Sequence, residues 1–361
     1  MIDPLGSFYR IRDQYIRYLE TAFRIRNVDV SNERRVLLES VGQVATEPMF
    51  EPIAKYQSVS WDVAHIDSHS DSPLQKFDES TRTAIANVLR AGLFNDNSIC
   101  PYTHQIEMLQ HGLSSGLPGV VTSGTGSGKT ESFLLPVIVQ IAAEAKQNWA
   151  PPSNDYLKRK WWMNPDTGRP FEKYTSIPTK QRPLKANATA TPFVLQRTGE
   201  SDSRAAAVRC LILYPMNALV EDQLTRLRAA LDSDAVAQVF NDEFGGNRVF
   251  FGRYTGETPV TGFREHPRVA AKDDSERRGT QLEKLFDYFL EVDKTQDAIS
   301  RLLKASDGVE TDSDTTGGNL SPSDRYMFPR SNGSEMLDRW NIQETPPDIL
   351  ITNISMLGGM L

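Results

Sequence analysis

The sequence predicts an α/β protein: a parallel sheet with flanking helices, preceded by a mainly helical amino-terminal region. Three observations carry this. From about residue 96 onward, short apolar runs alternate with amphipathic helical stretches. The run Val208 to Tyr214 is almost continuously apolar, as suits a strand buried on both faces. Residues 5–26 instead repeat Phe8, Ile11, Tyr15, Leu19 and Phe23 at helical spacing.

The first helix carries Arg10, Arg17 and Arg24, diluted by Asp3, Asp13 and Glu20. That mixture favours a core-facing helix of an accessory region over a membrane-surface helix. A second helix near 80–93 precedes a loop around Asn95, Asp96 and Asn97. Leu117 to Thr122 reads as a short strand. Lys129 to Lys146 reads as a helix, with Phe133, Val137, Ile141 and Ala145 on one face. Val208 to Tyr214 is followed by a helix over Asn217 to Leu231. Arg248 to Tyr254 is the next strand, Leu282 to Leu303 a helix, and Asp348 to Thr352 a last strand. The chain thus divides into a helical region, 1–95, and a sheet domain, 96–361. The sheet domain is interrupted at 148–206, which is proline-rich, and at 306–324, which holds five acids and no base. The second insert reads as a solvated, mobile loop.

The composition narrows the possibilities. Forty-seven acids against forty bases give a net charge of -7, so the chain as a whole is no basic nucleic-acid coat. Any contact with phosphates must come from a local patch. Two cysteines, Cys100 and Cys210, cannot build a four-thiolate zinc site or a Cys-x-x-Cys redox pair. Such sparse use fits the reducing cytoplasm. No apolar run is long enough to span a bilayer. His65 and His69, with Asp62, Asp67 and Asp71, have metal-like spacing but no further ligand cluster, and read as a polar loop.

The strongest signal is Ser123-Gly124-Thr125-Gly126-Ser127-Gly128-Lys129-Thr130, between a predicted strand and a predicted helix. Its glycines let backbone N–H groups close around phosphate oxygens, and the helix N-terminus adds partial positive charge. Lys129 is placed to reach the β and γ phosphates of ATP, and the Thr130 hydroxyl to ligate Mg²⁺. The first position of the general phosphate-loop pattern is Ser123 rather than glycine.

That departure, with the residues that follow it, resembles motif I of the superfamily-two DEAD/DEAH-box helicases. Other landmarks of that family occur in order. Pro101 to Gln105 looks like the adenine-recognising glutamine motif, with Gln105 able both to donate to and to accept from an adenine edge, or else to lie on the surface beside a helix start. Phe94 is a candidate to stack on the base. Tyr214 to Gln223 looks like motif Ia. There Pro215 and Asn217 stand where family members hold a nucleic-acid backbone, and Asn217 alone reads equally as a helix cap. Arg253 to Pro259 resembles the next backbone-contact loop, with Thr255 and Gly256. Asp348 to Leu357 resembles motif Ib, with Thr352 and Asn353. Each motif stands at a predicted strand end, where ligands bind in open α/β sheets.

The resemblance extends to the large bacterial helicases of the DISARM and Druantia phage-defence systems and to MrfA-like repair helicases. Asp3 to Phe8 and Tyr18 to Arg24 are similar to the start of the defence-type members. It implies an incomplete RecA-like, P-loop domain, binding of ATP and Mg²⁺, and nucleic acid as partner, DNA ahead of RNA. It also implies further subunits of a defence complex and no membrane. In this family an Asp-Glu box follows on the next strand. None occurs before Leu361, and Asp273 to Glu276 lies in a charged loop that follows no buried strand. The expectation is therefore an amino-terminal part whose own hydrolysis is negligible. The competing reading is a non-catalytic nucleotide- and DNA-binding scaffold.

The first insert adds two further readings. From Tyr156 to Lys185 it holds eight bases against two acids, interleaved with Tyr156, Trp161, Trp162, Phe171 and Tyr174. Exposed, these would suit single-stranded nucleic acid. Packed, they would be the core of a small subdomain.

Overall fold

The computed structural model describes residues 3–49, 55–94, 96–114, 116–124, 126–152, 160–178, 193–197, 204–265, 268, 274–306 and 322–360. By internal contacts the chain forms two units, Met1–Lys55 and Tyr56–Leu361. The division thus falls after Lys55, whereas the change of pattern in the sequence comes near residue 96.

The first unit is a pair of helices. α1 (Pro4–Ala22) starts where Asp3 accepts from the Gly6 N–H at 2.9 Å, with a proline in its first turn. α2 (Val28–Glu39) is capped by Asn27, which accepts from Asp29 N and Val30 N. Arg35 of α2 pairs with Asp13 and Glu20 of α1 at 3.2 and 3.1 Å. The α1 face turned to α2 is therefore Asp13, Ile16 and Glu20, and Ile16 is the buried residue of α1. The stripe expected to face a core is instead exposed at Ile11, Tyr15 and Phe23. α2 escaped the sequence reading because none of its residues is buried, so it has no apolar face to announce it.

The second unit is a mixed α/β fold. Its sheet holds β3 (Cys210–Tyr214), β4 (Phe251–Tyr254), β5 (Glu335–Met336) and β6 (Ile349–Asn353), all parallel, in the order β3-β6-β4-β5. β1 (Met163–Asn164) and β2 (Arg169–Pro170) form a separate small hairpin. β6 lies between β3 and β4, and its Ile349 to Thr352 are buried. The flanking helices are α3 (Glu79–Val88), α4 (Thr103–Leu113), α5 (Lys129–Asn148), α6 (Asn217–Asp232) and α7 (Asp234–Glu243). Their apolar faces, including Ile85, Leu109, Leu135, Leu224 and Phe240, share one core with Ile212, Phe251, Ile349 and Ile351.

Two sequence expectations about the sheet are corrected. Leu117 to Thr122 is not a strand: no described strand pairs with it, and Leu117 and Val120 are exposed. An apolar run becomes a strand only with a hydrogen-bonding neighbour. Likewise β3 is not buried on both faces, because Leu211 and Leu213 are 43% and 42% exposed and only Ile212 is buried. Among the described residues β3 is an edge strand, and the face that carries Leu211 and Leu213 is left largely uncovered.

A second core joins the first insert to α8 (Ser275–Ser306) and α9 (Arg339–Glu344). Trp162 is 2% exposed, stacks on Phe289 at 4.1 Å between ring centres, and donates its indole N–H to Asp293 at 2.8 Å. Trp161 packs on Phe193, Phe286 and Phe289. The tryptophan pair is thus a packed core, not an exposed stacking platform. Lys160 pairs with Asp293 at 3.0 Å. Lys158, Arg159, Lys180, Arg182 and Lys185 lie outside the described residues, as does most of the acidic insert.

At the start of the strands, Asp348 is fully buried. It accepts from Arg204 at 2.5 Å, from Arg209 at 2.8 Å and from the Phe250 N–H at 2.7 Å. Arg209 also holds Glu144 of α5 with two hydrogen bonds, which lowers the Glu144 pKa. The Arg204 guanidinium lies 3.5 Å from the centre of the Trp149 ring.

Two stability outcomes follow from these contacts. Asp348→Ala should lower unfolding stability by about 3–5 kcal/mol, because buried guanidinium charge loses its carboxylate. Trp162→Ala should cost about 3–5 kcal/mol through the cavity it leaves. Urea titration followed by circular dichroism checks both, and a loss below about 1 kcal/mol for either would contradict the packing described.

Candidate functional site

The loop before α5 is built as a phosphate cradle requires. Gly126 and Gly128 have φ of +76° and +69°, the left-handed region where a side chain is strained. A Cβ on Gly128 would stand 2.3 Å from Gln105 Nε2 and 3.3 Å from Glu131 Oε2, so this position has room only for glycine. α5 begins at Lys129, directly after the loop, leaving its first N–H groups without intrahelical partners. Ser127 is buried, with its hydroxyl 2.6 Å from Ser123 Oγ and 2.8 Å from the Gly124 carbonyl. Lys129 is exposed and its ammonium donates to the Ser123 carbonyl at 2.8 Å, folded back over the loop. Thr130 is half-buried in the first turn. Thr125 lies outside the described residues.

Three side chains from earlier in the chain hold this loop. Tyr56 Oη accepts from the Gly124 N–H at 2.8 Å. His104 Nε2 donates to the Ser127 carbonyl at 2.9 Å. Gln105 Nε2 donates to the Gly128 carbonyl at 3.1 Å, while its Oε1 accepts from the Tyr102 N–H at 2.9 Å. Gln105 is 5% exposed, so both ends of its amide are engaged inside the protein. The rings of Tyr56, Tyr102 and His104 pack together, Tyr102 and His104 stacked at 5.5 Å. Sequence spacing alone did not single out Tyr56 or His104; their role depends on the short bridge between Ser58 and Tyr102 that sets them beside the loop.

A cleft of about 550 Å³ opens beside the loop. Its lining combines the largely apolar Leu93, Phe94, Ile99 and Tyr102 with Gln105, the loop residues Gly126 to Glu131, and Arg226 of α6. Phe94, proposed from sequence as a base-stacking residue, thus lines the same cleft as Gln105 and Lys129. An apolar pocket leading to N–H groups, glycines and a lysine suits a flat aromatic base joined to a phosphate chain.

The strand-end residues gather at the carboxyl ends of the strands, opposite Asp348. β3 ends at Tyr214 and β6 at Asn353, which are paired in register, and β4 ends at Tyr254. Asn353 Nδ2 donates to Asn217 Oδ1 at 2.8 Å, so motifs far apart in sequence meet here. Asn217 is the first residue of α6 rather than its cap, which is Met216. Asn353 accepts from the Met356 N–H at 2.7 Å and so starts α10 (Ile354–Met360). Pro215 and Gly256 are exposed, and Asn217 and Asn353 partly so. Thr255 and Thr352 are buried. The Thr352 hydroxyl donates to the Tyr254 carbonyl at 2.6 Å, and Thr255 Oγ1 accepts from the Glu257 N–H at 3.3 Å. These two hydroxyls therefore shape the turns on which the exposed residues stand.

Other nucleophile or metal chemistry finds little support. Burial pushes the Cys210 thiol up to about 11, so it is protonated at neutral pH. His65 bonds Asp62 at 2.6 Å and His69 stacks on Trp61. Among the described residues no group of three or more histidines, cysteines or acids is placed to hold a metal ion, and no helix is long and apolar enough to cross a membrane.

Comparison with known proteins agrees with the motifs. Residues 102–249 match the DEAD/DEAH box helicase family. The chain is similar to the Druantia protein DruE of Escherichia coli (strain UMEA 4076-1), with 26% identity over 366 residues. That alignment covers 96% of this chain and 16% of the relative, so the chain spans about one sixth of the relative's length. The likeness to the Druantia protein thus runs along nearly the whole chain, and the helicase family match covers residues 102–249 within it. No solved structure matches it.

If Gln105 is a latch on the loop, Gln105→Ala should free the Gly128 carbonyl and the Tyr102 N–H. The loss of about 1 kcal/mol of local stability corresponds to about fivefold faster amide exchange. Hydrogen-exchange mass spectrometry of a peptide spanning 123–132 reads this directly. Unchanged exchange would remove Gln105 from that role.

Proposed function

We propose that Tyr56–Leu361 is the ATP-binding, RecA-like first motor domain of an ATP-dependent DNA helicase or translocase, acting in phage defence or DNA repair. The observation that carries this is one arrangement: a glycine-rich loop at the start of α5 in the same fold as three neighbouring parallel strands, β3, β6 and β4, whose carboxyl ends lie side by side. The family match over 102–249 and the likeness to the Druantia protein support the same reading.

In this reading the amides of Gly126 to Gly128 and the Lys129 ammonium hold the phosphate chain of ATP, while the Gly124 amide, expected from sequence to join them, is held by Tyr56. Lys129 exchanges the Ser123 carbonyl for phosphate oxygens, a better partner because it is anionic. The Thr130 hydroxyl would hold Mg²⁺, which when bound neutralises charge on the β and γ phosphates. Phe94 and Tyr102 would cover the base, and Gln105 would fix the loop that carries the phosphates. Pro215, Asn217, Gly256 and Asn353 would meet the nucleic-acid backbone, with Thr255 and Thr352 holding their turns. The exposed N–H groups at the start of α6 suit a phosphate better than a base edge. Partners would then be DNA ahead of RNA and further subunits of a defence complex.

Titration calorimetry of the purified chain with Mg·ATP tests the assignment. Lys129→Ala should abolish measurable binding, since Lys129 is the cation that the loop itself offers the phosphates. Equal affinity in wild type and variant would overturn the nucleotide site.

A further inference from the structure

A cation from another helix lines the same cleft, beside the first turn of α5. Arg226 of α6 lies among the residues that line it. Its guanidinium pairs with Glu131 at 2.7 Å and with Asp222 at 3.3 Å. Glu131 belongs to the first turn of α5, two residues after Lys129, and its carboxylate leans toward Gly128. The carboxylate therefore occupies the end of the helix that attracts anions. An arriving phosphate would compete with it for the same field, and would be repelled by it unless Arg226 stands between them.

The guanidinium fork can bridge two anions, and it pairs with phosphate at least as well as with carboxylate. Arg226 keeps 42% of its side chain exposed, so it can turn without unfolding anything. We infer that Arg226 is a second cation of the nucleotide site, held by Glu131 and Asp222 until the phosphate chain of a bound nucleotide draws it off Glu131. This rests on the nucleotide-site reading above and adds to it a contact from α6, the helix whose first residue is Asn217. Arg226 lies nine residues along α6 from Asn217, about 14 Å of helix. One helix then touches both the nucleotide and the candidate nucleic-acid surface.

The test is calorimetric titration of Mg·ATP into the wild-type chain, Arg226→Gln, Arg226→Lys, Glu131→Gln, the Arg226→Gln/Glu131→Gln double variant and Lys129→Ala. Melting temperatures are recorded alongside so that only folded protein is compared. Arg226→Gln should bind ATP about tenfold more weakly, the loss of one charge-assisted contact. Arg226→Lys should fall between it and wild type. Glu131→Gln should bind at least as tightly as wild type, because it releases Arg226. The double variant should stay about tenfold weaker than Glu131→Gln alone. Wild-type affinity in Arg226→Gln would overturn the inference. So would full recovery in the double variant, since Arg226 would then only shield Glu131. If Lys129→Ala loses binding while Arg226→Gln does not, the nucleotide site stands and this inference alone falls. If Lys129→Ala binds like wild type, both fall.

Discussion

A carboxylate shut away from water, that of Asp348, sets the geometry on which the sheet depends. Its oxygens take hydrogen bonds from Arg204, Arg209 and the Phe250 N–H, and its own backbone pairs with the residues that open β3 and β4. An ionised carboxylate is stable in such a place only if its donors arrive together. Arg204 comes from the end of the first insert, Arg209 from the start of β3, and Glu144, which shares Arg209, from α5. The strand beginnings are locked in register by one charge cluster. With one end fixed, the other ends of β3, β4 and β6 can carry turns that Thr255, Thr352 and Asn353 hold and on which Pro215 and Gly256 stand exposed.

The phosphate loop follows the same division of labour. Glycines supply its shape, because Gly126 and Gly128 take backbone angles that other residues resist. The chain upstream supplies its rigidity, through Tyr56, His104 and Gln105. Their bonds use a loop N–H and two loop carbonyls. The first N–H groups of α5, which point to where phosphates would lie, are left for a ligand. A loop prepared in this way would lose little further freedom on taking the proposed nucleotide.

Much of this was legible in the residues. α5 and α6 could be read because their apolar residues recur with helical period and face a shared core. The cradle could be read because glycine is the residue that such angles demand. Other features depend on partners distant in sequence. Leu117 to Thr122 has a strand's composition but, among the described residues, no strand beside it. The basic and aromatic insert could have been a surface or a core, and only α8 decides it by placing Phe286 and Phe289 against Trp161 and Trp162. The cluster on Asp348 joins residues more than a hundred positions apart, and no local pattern marks it. Arg226 meets Glu131 only because α6 packs beside the start of α5, a contact between residues 95 positions apart.

β3 has a practical consequence for anyone handling this protein. Among the described residues its outer edge has no strand beside it, and Leu211 and Leu213 are open to solvent. The strand carries no proline, no charge and no bulge across Cys210 to Tyr214, the usual guards of such an edge. Its backbone is a template on which a foreign extended segment can be added, with apolar side chains ready to receive it. An edge of this kind makes pairing with another strand sensitive to protein concentration, as for any unguarded strand.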